Sequence, residues 1–209
     1  MIKPVADIFM TVLLLFLMGY QFWGETAHEW AGTLMLLLFI AHHILNAGWY
    51  KNIFRGRYTP IRIIMTGIMM SRHVFSFLSV SSGMGTARLV HMAACYWGFV
   101  LMSLHLGLHW GMMMTKMRQS LPSTSPSRIR TVILRIVAAA IAVYGAYVFI
   151  SRNLITYMLL QTQFVFLDFG ESPIFFYIDY LAMAGLFVWI AYYLTMIFRR
   201  KKKEYRKAD

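Results

Sequence analysis

Six long apolar stretches, at about 5 to 23, 28 to 49, 60 to 80, 88 to 114, 130 to 150 and 175 to 198, take up most of this 209-residue chain. Each approaches the roughly 20 residues an α-helix needs to cross the hydrocarbon core of a bilayer. The composition agrees, with 59% hydrophobic and 13% charged residues, where a soluble domain has about 45–50% and about 25%. The expected class is therefore an all-α, polytopic membrane helix bundle of about six transmembrane helices. No A-x-A-like cleavage site follows the first run, so it reads as a retained span rather than a signal peptide. The third run is the weakest, since Arg62, Arg72 and His73 interrupt it.

The formal charge of +12 would suit a nucleic-acid partner, but its distribution argues for a membrane. Lys51, Arg55 and Arg57 follow the second span, Lys116, Arg118, Arg128 and Arg130 follow the fourth, and "RRKKKEYRKAD" follows the sixth. Basic residues in alternate loops place both termini in the cytoplasm, and membrane lipid becomes the partner of the basic tail. Cys95 is the sole cysteine, so no intrachain disulfide forms and a small buried residue is expected. There is no GxGxxG fingerprint and no P-loop, so the chain carries no recognisable dinucleotide site.

The reading divides the chain into a four-helix core over 1–118 and a cytoplasmic linker over 119–129. Two further transmembrane helices over 130–198 and a basic cytoplasmic tail over 199–209 complete it. The segment 151–173, long for a connection and rich in aromatic residues, is expected to form an amphipathic helix on the outer surface.

All seven histidines fall within the first four spans, in the core over 1–118. His28 and His42 lie fourteen residues apart on the second span, and His91 and His105 repeat that spacing on the fourth, sixty-three residues later. The motif His42-x3-Asn46-x2-Trp49 is echoed by His105, His109 and Trp110, a weak internal duplication. Fourteen helical residues advance nearly four turns and about 21 Å, so each pair shares one face at two depths. A returning third span makes the second and fourth parallel, which matches His28 with His91 near the outer face and His42 with His105 near the inner one. Two opposed imidazoles at each depth are what a six-coordinate haem b requires, and two haem b groups are expected.

Polar residues in a span are expensive and usually face the bundle interior at functional positions. Gly32 and Gly98 on the two stripes leave room for a flat ligand, or else permit close helix packing. His43 is an alternative to His42, though it sits about 100° off the stripe defined by His28. His109, one turn beyond His105, is an alternative ligand or a donor to a propionate or a quinone. Asn46 holds the equivalent place in the other repeat and favours a supporting polar role there. Arg57 and Arg62 are the candidates to bind propionates of the inner haem, and Arg72, His73 and Arg88 those of the outer one; lipid headgroups are the competing partners.

The segments "HEWAGTLMLLLFIAHHILNAGWYKNIFRGRYTP", "SRHVFSFL", "HMAACYWGFVLMSLHLGLHW" and "TQFVFLDFGESPIFFYIDYLAMAGLFVWIAYY" resemble a bacterial integral-membrane family, a domain of unknown function related to dihaem cytochromes b and ferric-reductase-like transmembrane proteins. The resemblance extends over nearly the whole chain and implies His28, His42, His91 and His105 as the ligand set. It also implies a bacterial cytoplasmic (inner) membrane. This chain departs from the family in the short apolar run before Ser71, Arg72 and His73.

The expected function is a membrane electron carrier that relays single electrons through two b haems between a quinone or partner redox protein and an acceptor such as ferric iron. Bis-histidine iron has no open position and therefore relays rather than binds oxygen. One alternative is a copper-type soft-metal transporter or sensor using the seventeen methionines and the histidines. Another is a structural or assembly subunit of a membrane redox complex. No catalytic acid, base or nucleophile constellation stands out.

Overall fold

The computed structural model describes residues 2–48, 83–120, 128–162 and 164–208. The third predicted span lies outside them, as do Trp49, Arg57, Arg62, Arg72 and His73. Every regular element among the described residues is helical: α1 (Ile2–Met18), α2 (Tyr20–Leu45), α3 (Gly83–Ser120), α4 (Arg128–Ser151), α5 (Leu154–Met158) and α6 (Pro173–Ala208). Three stretches are long and apolar enough to cross a membrane, Arg88–Met117, Arg128–Ser151 and Pro173–Phe198, which correspond to the fourth, fifth and sixth predicted spans. They are compatible with a membrane helix bundle. The apolar part of α1, Val5–Met18, is shorter. In α2 the length is present, but Glu25, Glu29, His28, His42 and His43 dilute its apolar character.

The chain falls into two compact units, Met1–Tyr58 with Phe164–Tyr180, and Thr59–Gln163 with Leu181–Asp209. In the first, α1 and α2 form an antiparallel hairpin. The apolar run predicted to continue to residue 23 breaks at Gly19, whose amide closes a turn onto the Phe16 carbonyl at 3.0 Å. A side chain at Gly19 would meet the Tyr177 phenol. Gly24 then kinks α2, at φ 76° and ψ 177°, a conformation that residues with a Cβ avoid. Beyond this kink α2 runs unbroken from Glu25 to Leu45. Phe16 stacks on Trp23 at 5.3 Å, and the Trp23 indole donates to the Tyr177 hydroxyl at 2.6 Å. Phe22 packs edge-on against Phe176 at 5.1 Å, so the hairpin turn is tied to the first turns of α6.

In the second unit the core centres on Phe99, Val148, Leu154 and Met183, each under 2% exposed or at it. Small residues bring its helices together. A Cβ at Gly107 of α3 would lie 2.5 Å from the Val188 carbonyl oxygen and 2.7 Å from the Ala191 Cβ on α6. Gly145 of α4 is set against the backbone of Ala182 and Met183. Such approaches suit lipid, where apolar surface alone gives helices no reason to associate and packing must supply it.

The segment 151–173 differs from the expected amphipathic surface helix. Between α4 and α6 its helix among the described residues is the five-residue α5, because Asn153 (φ 52°) and Leu160 (φ 54°) adopt left-handed conformations on either side. Tyr157 of α5 stacks on Tyr96 of α3 at 5.2 Å, and the Trp97 indole donates to the Met158 carbonyl at 2.9 Å. From 164 to 172 the chain is irregular, with the Gly170 amide held by the Asp168 carboxylate at 2.9 Å, until Pro173 starts α6. The backbone of the basic tail is not a separate coil: α6 continues through it to Ala208.

Candidate functional site

The kink at Gly24 lies ahead of His28, so His28 and His42 belong to one uninterrupted helical run. Their spacing places them about 21 Å apart along the axis and about 40° apart around it. His28 is half-buried and meets the Tyr20 ring edge-on at 5.3 Å. Among the described residues, a Cβ at Gly32 would meet nothing within 4 Å. Its neighbour Ala31 is buried.

His42 is joined by a residue the histidine pattern did not indicate. Asp7 of α1 lies with its Oδ1 2.7 Å from the His42 Nδ1, across the hairpin. An ionised carboxylate only accepts, so a hydrogen bond to one places the hydrogen on Nδ1 and leaves Nε2 as the acceptor of a neutral ring. The side chains are 26% and 51% exposed. The signal for Asp7 was present in the sequence: it is the sole acidic residue of an apolar run, and an ionisable group there calls for a partner.

The adjacent His43 turns a different way, with Nδ1 donating to the Phe39 carbonyl at 2.8 Å. Asn46 caps α2, its side-chain amide donating to the His42 carbonyl at 2.8 Å, so it contacts the backbone of His42 rather than the ring.

On α3, His91 is exposed and its Nε2 lies 3.6 Å from the Sγ of Cys95, one turn further on. Gly98 is buried between the two histidines in sequence. His105 and His109 are half-buried with ring centroids 4.7 Å apart. Gly107, which packs on α6, stands two residues from both His105 and His109 and so about 160° round the helix from each. His105 and His109 thus lie on the side of α3 opposite the Gly107 contact with α6. Arg88 is exposed at the start of the apolar span.

The α2 pair belongs to the first compact unit and the α3 pair to the second. Among the described residues no three His, Cys, Asp or Glu side chains converge as a metal-binding group; a bis-histidine haem needs one imidazole on each side and no such cluster. No family model, no curated protein and no solved structure matches this chain.

Proposed function

We propose that the protein is a dihaem b-type cytochrome of the membrane, relaying electrons across the bilayer between a quinone or partner oxidoreductase and an acceptor. One observation carries this reading: α2 and α3 each hold two histidines fourteen residues apart on one stripe of continuous helix. His28, His42, His91 and His105 would hold the two haem b groups, with Arg57, Arg62, Arg72, His73 and Arg88 available to propionates.

The chemistry of the donors fits such a group. Ligating histidines commonly donate their second ring nitrogen to a carboxylate or carbonyl, and His42 does so to Asp7. His91 would exchange its Cys95 contact for iron by rotating its ring. A bound b haem with two imidazoles supplies one-electron exchange and keeps no open coordination position. The protein's own part is to orient the four rings, neutralise the propionates and exclude water with apolar helices. The orientation with both termini inside rests on the alternation of basic loops, and the bacterial cytoplasmic membrane on the family resemblance alone.

The His91–Cys95 contact favours a second reading, a soft-metal site, because thiolate and imidazole both suit copper. The ligand series separates the two. Haem counted per chain should fall from two to one in His28→Ala and again in His105→Ala, and stay at two in Cys95→Ala. A protein that binds copper, carries no haem and loses its metal in Cys95→Ala would establish the alternative instead.

A further inference from the structure

Asp7 is the sole acidic residue of α1, brought to His42 from thirty-five residues away by the hairpin. We propose that Asp7 is the positioning residue of His42, fixing its ring through Nδ1 so that Nε2 serves the iron, and that its negative charge lowers the reduction potential of the haem His42 serves. The inference rests on the dihaem reading and deepens it at one site.

Three features carry it. The separation of 2.7 Å is that of a charge-assisted hydrogen bond rather than a chance approach. The hairpin register behind it is built, with Gly19 setting the turn and Gly24 the kink, and Phe16 stacked on Trp23 at the closed end. Finally, the backbone carbonyl of His42 is itself engaged by the Asn46 cap, so main chain and ring are both held. A hydrogen bond from Nδ1 to a carboxylate makes the ring a stronger donor at Nε2, and a stronger donor favours ferric over ferrous iron. Each reduction takes up one electron, supplied in a titration by a mediator of known potential. No covalent bond forms or breaks, and the Nδ1 hydrogen stays between His42 and Asp7 throughout.

The test is a potentiometric titration of the detergent-purified holoprotein, read in the visible haem bands with the ferric electron paramagnetic resonance spectrum alongside. It compares wild type, Asp7→Asn, Asp7→Glu and His42→Ala. In Asp7→Asn both haems should be retained, while for one of them the reduced-to-oxidised ratio at a fixed potential rises about tenfold, or about 59 mV for one electron. Asp7→Glu should restore most of the shift, and His42→Ala should lose the same haem. A dihaem wild type whose Asp7→Asn variant titrates identically, or in which His42→Ala removes the haem that did not shift, overturns the role of Asp7 alone. A wild type without haem overturns the dihaem reading itself. Should Asp7→Asn fail to fold, the wild type labelled with ¹⁵N-histidine decides: a downfield ring N–H resonance that disappears in His42→Ala supports the contact, and its absence refutes it.

Discussion

Gly107 offers the sharpest test of how α3 and α6 are packed, because Gly111, one turn further along the same helix face, serves as its control. An added Cβ at Gly107 would meet the Val188 carbonyl oxygen at 2.5 Å, the Ala191 Cβ at 2.7 Å and the Val188 Cα at 2.9 Å. Two of these are backbone atoms that cannot swing aside, so the helices must separate. Overpacking typically costs about 1–3 kcal/mol, and obstruction by backbone puts Gly107→Ala near the upper end, about 3 kcal/mol. Replacing glycine by alanine in a helix returns about 1 kcal/mol, leaving a net loss of about 2 kcal/mol. At Gly111 a Cβ meets nothing within 4 Å among the described residues, so Gly111→Ala keeps only the gain of up to about 1 kcal/mol. The two variants should therefore differ by about 3 kcal/mol in reversible unfolding by sodium dodecyl sulfate, followed by circular dichroism. Equal stabilities would refute the close approach of α3 to α6.

Leu154 is 1% exposed, and Leu154→Ala should lower stability by about 2–5 kcal/mol in the same assay. Trp97→Phe removes the hydrogen bond to the Met158 carbonyl; it should cost about 0.5–1.5 kcal/mol and speed protease cleavage in the irregular stretch after α5. Gly24→Ala, at φ 76° and ψ 177°, should destabilise the hairpin by about 1–3 kcal/mol, whereas Gly32→Ala in open space should not.

The long apolar helices were legible because length and composition alone define them: the predicted spans 88 to 114, 130 to 150 and 175 to 198 fall within α3, α4 and α6. The end of α1 was not legible, since the apolar residues run past the break to Trp23 and hydropathy does not register the backbone turn at Gly19. The shape of 151–173 was missed for a similar reason. Aromatic content suggested a surface helix, but left-handed Asn153 and Leu160 confine the helical part to five residues, which the rings of Tyr96 and Trp97 then hold down.

At the candidate site, the histidine spacing could be read directly because a helix converts sequence separation into depth and face. The contact between Asp7 and His42 could not, since it depends on the register of two helices set by a turn and a kink. Gly32 and Gly98 show the limit of composition within a single pattern. Both were open to the same two readings, yet Gly32 borders open space and Gly98 is buried.

The central claim is tested most directly by the dithionite-reduced minus oxidised visible spectrum of the protein purified in detergent from haem-replete cells, with extracted haem counted per chain. Sharp six-coordinate b-type bands at two haems per chain are the predicted result. A colourless protein from the same cells would contradict the cytochrome reading.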